Sequence, residues 1–328
     1  GRVRLLLYDM ETGDKKVLYR YGIRNYEVET DLNYPIIAWQ PDGSELSFLY
    51  ERKDVISLMK IDFENEQTIT DKLSPEYQRV YDMDYWSADT LMFSASTDGL
   101  SDLYMYAPIT RQTTRVTDDF YDDLDASVIT LDDKRYILFS SNRADENLRK
   151  MDLDSILPIG QFDLFLLDFT PPKSSLRRIT FSDDASERKA RISGADELIC
   201  LADYAGHWQR IIVKQLMEDP PLAILHTKYD RDILLHEFVP ASPVVIDWLQ
   251  KWNMPYIHTS QLDSSKTITI RPSPSIGVLD ETPEVTPNEK VKKEEVDPRY
   301  LFQTPFPVIQ PATSLPVIEE TPVEDAAP

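Results

Sequence analysis

The chain is short of glycine, histidine and cysteine, with nine, four and one in 328 residues. So little glycine leaves no phosphate-cradling Gly-rich loop, and no Gly-x-Ser-x-Gly nucleophile elbow occurs. His207, His226, His236 and His258 are scattered, without metal-ligand spacing. His236-Glu237-Phe238-Val239-Pro240 opens like a zinc-peptidase helix, but the second His is missing and Pro240 would break the helix. A single cysteine, Cys200, excludes an internal disulfide; between Ile199 and Leu201 it reads as a buried, inert thiol. This usage suits the cytosol and equally a periplasmic protein without disulfides. No apolar run reaches the roughly 18 residues of a membrane helix. Basic residues are outnumbered 35 to 57, for a formal net charge of -22. That balance disfavours nucleic acid and anionic membranes as partners and favours cationic ligands or basic protein surfaces.

What the chain does have is a repeat. An apolar strand, a short turn and a second apolar strand run from Ile36 to Phe48 and again from Met83 to Phe93, with weaker copies at Val128–Phe139 and Ala190–Leu201. Between copies lies a second strand pair that closes on a Leu/Ile/Val-Thr step, as at Val116-Thr117 and Ile179-Thr180. A period of roughly 45 residues built from four short strands implies an all-β fold, a β-propeller of four-stranded blades. Blades are expected near 33–74, 77–117, 124–180 and 189–227. Residues 3–20 form an outer half-blade and 232–262 an inner half. If the two halves pair, five blades close a ring; with N-terminal residues missing, the ring is six or seven blades.

Composition divides the chain into a propeller at 1–262 and a tail at 263–328. The tail carries 11 of the 23 prolines, one glycine and no Trp. It cannot bury enough apolar area to offset the cost of ordering, and is expected to be disordered or docked. The start at Gly1, inside a strand pattern, is expected to be the edge of a fragment.

Particular residues carry a family resemblance. Trp39-Gln40-Pro41-Asp42-Gly43-Ser44-Glu45-Leu46-Ser47-Phe48 resembles the W-S-P-D-G-x-x-I-A-F element of TolB-type propeller repeats. Leu103-Tyr104-Met105-Tyr106 and Leu164-Phe165-Leu166-Leu167-Asp168 resemble the family's I-Y-x-x-D element. Phe139-Ser140-Ser141-Asn142-Arg143 resembles its F-x-S-x-R, and Arg177-Arg178-Ile179-Thr180 its closing step. Trp86-Ser87-Ala88-Asp89-Thr90 departs by lacking the Pro and Gly. The resemblance spans about residues 4–227. It implies a non-enzymatic interaction scaffold, periplasmic or outer-membrane associated, similar to large envelope proteins of Bacteroidetes-like bacteria, with protein partners. The alternative it leaves open is the gating propeller of a peptidase whose catalytic domain lies outside this chain.

Strand parity places the connections between second and third strands, and those between blades, on one side of the ring. That side gathers Asp98, Asp102, Asp118, Asp119, Asp122, Asp123 and Asp125, with Asp183 and Asp184 beyond. Such loops offer oxygen ligands to Ca²⁺, or a surface to a Lys/Arg-rich partner. The same side carries an insertion at 144–160, read as a short helix with Leu148 and Met151 as docking contacts. In the tail, Tyr300, Phe302 and Phe306 form an aromatic patch suited to extended docking. Trp39, Trp86, Tyr104, Tyr106 and Phe165 are expected to pack between blades.

Overall fold

A computed structural model describes residues 3–9, 11–21, 33–52, 54–148, 160–182, 185–204, 206–238, 242–251, 254–262 and 268–269. Every described residue lies within Gly1–Gly277. Tyr300, Phe302, Phe306, Met151, Asp183 and Asp184 are outside the described residues.

Strands account for the regular structure, and no helix occurs among the described residues. A hairpin, β1 (Val3–Tyr8) and β2 (Lys15–Tyr21), comes first. Blade one is β3 (Ile36–Trp39), β4 (Glu45–Glu51), β5 (Ile56–Asp62) and β6 (Gln67–Lys72). Blade two is β7 (Arg79–Ser87), β8 (Thr90–Thr97), β9 (Leu100–Ala107) and β10 (Gln112–Arg115). Blade three is β11 (Asp123–Leu131), β12 (Lys134–Ser141), β13 (Asp163–Asp168) and β14 (Ser175–Arg178). Blade four is β15 (Glu187–Gly194), β16 (Glu197–Tyr204), β17 (His207–Lys214) and β18 (Leu222–Leu225). The fifth blade has three strands, β19 (Ile233–Phe238), β20 (Val244–Lys251) and β21 (Met254–Gln261). A last short strand, β22 (Ile268–Thr269), pairs with the outer strand of blade four, so the sheet continues past the boundary expected at 262.

Within each blade the strands pair antiparallel with their sequential neighbours, so each blade is a meander. Turn chemistry follows the sequence. Gly43, at φ +78°, supplies the backbone conformation needed in the β3–β4 turn, and Asp42 Oδ1 accepts from Ser44 N at 2.9 Å.

The inner strands β3, β7, β11, β15 and β19 lie against one another in succession. Blades are glued by sandwiched apolar layers: Ile36, Ala38 and Leu49 against Met83, Tyr85 and Phe93, then Met92 and Met105 against Ile137 and Phe139. Burial on both faces explains why β4, β8, β12 and β16 read as nearly continuous apolar runs.

One of the two ring alternatives drops out, and one expectation changes. The hairpin β1–β2 and the sheet β19–β21 are separate sheets, so the terminal halves do not combine into one blade. Trp39 does not pack between blades: it is 45% exposed and stacks on Phe63 of its own blade.

Candidate interaction face

Four inner strands, β7, β11, β15 and β19, each carry a register shift near their start. Asp125 and Lys189 sit in two of these bulges with φ of 55° and 56°. Charged side chains gather beside these shifts. Asp125 pairs with Arg188, and Arg191 reaches Glu237 at 3.4 Å and feels Asp84 and Asp125. Asp82, held by Ser94 Oγ at 2.6 Å, has its pKa pushed up to about 7 by burial and then by Asp125. His236 belongs to strand β19, and its Nε2 lies 2.6 Å from the Lys189 carbonyl. Burial, above all, lowers its pKa to about 3, so the ring is neutral and donates there.

The side formed by β8–β9 type turns and inter-blade connections is built on a recurring clasp. In blade two, Thr117 Oγ1 accepts from Leu103 N at 3.0 Å and donates to Asp102, which also meets Arg115 Nη2 at 2.5 Å. Blade three repeats it: Thr180 Oγ1 accepts from Leu164 N at 2.8 Å, and Arg178 Nη2 meets Asp163 at 2.5 Å. In blade four Gln209 and Thr227 keep the hydroxyl contact without an ion pair. The Leu/Ile/Val-Thr step of the sequence is therefore the polar lock that closes the outer strands of blades two and three.

Between blades two and three, Arg143 is fully buried and holds Asp123 through both carboxylate oxygens at 2.7 Å. Asp119 lies 3.2 Å from the same nitrogen. Burial raises the Asp123 carboxyl to about 6 against the pull of Arg143, which leaves it ionised at neutral pH. The guanidinium also lies over Tyr121 and Phe139, at 5.2 and 5.6 Å from the ring centroids. Oxygens of Asp102, Asp119 and Asp123 fall within 4.8 Å of one another, close enough for a cation. Two guanidinium groups already meet these carboxylates, Arg115 at Asp102 and Arg143 at Asp119 and Asp123, and offset the negative charge that would draw Ca²⁺.

Placement divides the expected contact residues. Asp102, Asp119, Asp123 and Asp125 are buried and turned to internal arginines, so they present no charge to a partner. Asp98 is exposed at a turn, Asp118 is 53% exposed beside Arg115, and Asp122 is half-buried, accepting from Ser101 N. The described start of the insertion is tied to blade three: Asn147 O accepts from Arg143, Glu146 Oε1 from Arg178 N, and Leu148 packs on the layer of Phe139 and Phe165. Its expected docking residue Leu148 is thus a packing residue, and residues 149–159 lie outside the described residues.

Sequence reasoning missed two residues on this side. Phe181 is 41% exposed beneath the Arg178 guanidinium, 4.9 Å from its ring, and Tyr204 is 44% exposed. Their signal was an aromatic immediately after a closing Thr and at the end of a second strand. The opposite side is acidic too, with Asp42, Asp89, Asp132 and Asp133 exposed, so charge alone does not single out a face.

No protein-family model matches the chain, and no curated protein does. Among solved structures, TolB from Acinetobacter baumannii superposes with a TM-score of 0.55 at 15% identity, over 79% of this chain and 57% of that one. The chain thus spans little more than half of that protein. A putative TolB from Agrobacterium tumefaciens gives 0.56 at 12% identity, over 81% of this chain and 87% of that one. An oligogalacturonate lyase in complex with manganese gives 0.50 at 11% identity, over 80% and 72%. The fold is that of the TolB β-propellers, as Trp39–Phe48 and its companion motifs implied.

Proposed function

We propose that this chain is a non-catalytic, protein-binding propeller of a bacterial cell envelope, periplasmic or outer-membrane associated. Its partner docks on the side carrying Asp98, Asp118, Phe181 and Tyr204. One observation carries the reading: exposed acidic and aromatic groups stand on a base whose own carboxylates are neutralised internally by Arg115, Arg143 and Arg178. The outward charge is negative, which suits a partner segment rich in Lys and Arg. The likeness to TolB propellers supports the interaction role and the envelope location. The tail at 263–328, with Tyr300, Phe302 and Phe306, serves as a tether to that partner or to a following domain.

The test is affinity capture from envelope extract with the full chain, with Asp98→Lys/Asp118→Lys, and with Phe181→Ser/Tyr204→Ser. Each double variant is expected to lose the same proteins, and raising salt is expected to weaken their capture. Capture indifferent to both variants would remove the face from the reading. A parallel capture without residues 263–328 that yields unchanged partners would remove the tether.

A further inference from the structure

The turn between third and fourth strands helps to seal a blade against the one before it. In blade three it sends Phe169 into the apolar layer shared with blade two. In blade four it sends Leu216, 1% exposed, into the layer shared with blade three. In blade two it sends nothing. No residue of its turn, 108–111, belongs to the layer between blades one and two, and Ile109 is 78% exposed. A cleft of about 530 Å³ opens there instead, with β6 on one side and β9 and β10 on the other, and Arg111 of the same turn lines it.

The joint beneath the cleft differs to match. Phe48, Phe93 and Phe139 stand opposite Met59, Tyr104 and Phe165, which aligns the outer strands of the three blades. Asp71 then holds the position of Val116 and Ile179, and Tyr106 that of Leu167. Val116, Ile179 and Leu167 are packed in apolar layers between blades. Asp71 and Tyr106 form a hydrogen bond instead. Burial, and then Asp71, push the Tyr106 hydroxyl well above its usual range, so it stays protonated and donates. Asp71 also accepts from Lys72 N at 3.0 Å and meets Arg111 Nη2 at 3.3 Å, with its own side chain only 11% exposed. Its charge is engaged at the floor of the cleft, where it positions the Arg111 guanidinium.

Above that floor the lining is cationic and hydroxylic. The Arg111 side chain is 73% exposed, Lys72 is exposed beside it, and Thr70, Ser74 and Thr113 complete the walls. No aliphatic side chain lines the cleft, so it is not made for an apolar ligand. In a chain of net charge -22, two cations around one engaged carboxylate reverse the prevailing sign locally.

We infer that this cleft binds a small oxyanion of a polyol, a sugar carboxylate or a sugar phosphate. Arg111 and Lys72 take the anionic group, and the Ser and Thr hydroxyls meet those of the ligand. None of the docking-face residues Asp98, Asp118, Phe181 and Tyr204 lines the cleft, so the two readings stand or fall separately.

The full chain is titrated calorimetrically with glucose, glucuronate, glucose 6-phosphate and inorganic phosphate. The first three share one ring, and the last is the anion alone. Saturable binding of one or both acidic sugars is expected, weakening as salt rises, with none of glucose. Glucuronate alone would assign carboxylates, and glucose 6-phosphate alone phosphate esters. Arg111→Gln and Lys72→Gln, both at exposed positions, are each expected to weaken that binding about tenfold while the melting temperature holds. If Arg111→Gln melts early, Lys72→Gln carries the test. Binding of neither acidic sugar, glucose bound as well as the acids, or binding indifferent to both substitutions would overturn the inference. So would inorganic phosphate bound alone, which would make the cleft a site for an adventitious ion only.

Discussion

Arg143 Nη2 donates to both carboxylate oxygens of Asp123 at 2.7 Å, and neither side chain reaches solvent. The same guanidinium faces Asp119 and donates to the Asn147 carbonyl, so it joins a blade, a connection and the insertion. Arg143→Met leaves Asp119 and Asp123 without their counter-charge, and is expected to cost about 3–5 kcal/mol. Adding Asp123→Leu is expected to recover part of that loss. Chemical denaturation of the single and double variants measures both, and a single-variant loss below about 1 kcal/mol would contradict this assignment.

Glu187 starts β15 as Asp123 starts β11, but blade four has no arginine to meet it. The register aligns Ala202 opposite Glu187 where Ser141 stands opposite Asp123, which puts Tyr204 in the place of Arg143. Burial, chiefly, raises its pKa to about 8, and a hydrogen bond with Asp163 adds to the rise. The sign is that of a buried acid. Below its ordinary value, 4.5, the group is protonated folded and unfolded; above it the unfolded chain releases a proton that the fold retains. Stability therefore falls as pH rises from about 4.5 toward 8. Glu187→Gln is expected to exceed the native protein in stability by on the order of 2 kcal/mol at pH 8, with the gap closing near pH 5. A gap that does not change with pH would reject this.

Cys200 is fully buried and its thiol is pushed well above the usual range, first by burial and then by Glu187. A disulfide reagent is expected to leave the native chain untouched and to titrate one thiol in denaturant. Labelling at the rate of a free thiol would show that blades three and four separate readily.

Gly160 sits where a Cβ would meet the Asn142 carbonyl oxygen at 2.8 Å. Gly160→Ala must displace backbone, and the Asn142 side chain also fixes Asp122 N at 2.9 Å. A loss of about 1–3 kcal/mol is expected, with faster hydrogen exchange at Asp122. Full native stability would show that the end of the insertion adjusts freely.

The four-stranded period was legible because both faces of each blade are apolar, and the pairs Ile36–Phe48 and Met83–Phe93 announce it directly. Side-chain direction was not. Asp98 and Asp102 are four residues apart, yet one is exposed and the other is wholly buried against Arg115. Charge shows in a sequence, but the arginine that meets it 13 residues later does not. Bulges at Asp125 and Lys189 shift the alternation within β11 and β15, which hides the charged groups beside them from a period-2 reading. Trp39 was misplaced for another reason: its motif is that of an interior strand, and its burial depends on a neighbour rather than on itself.

Each joint between blades has its own polar fastening. Tyr106 binds Asp71 between blades one and two; Asp84 accepts from Val128 N between two and three; Arg188 meets Asp125 between three and four; Arg210 meets Asp247 beyond. Apolar layers of similar residues would let any blade stack on any other. These unlike fastenings do not. A blade inserted out of order would bury a carboxylate against the wrong neighbour, so the charges act as an address that sets the sequence of blades. A chain built of repeated blades is thereby protected from pairing with itself in the wrong order, or with the blades of another molecule.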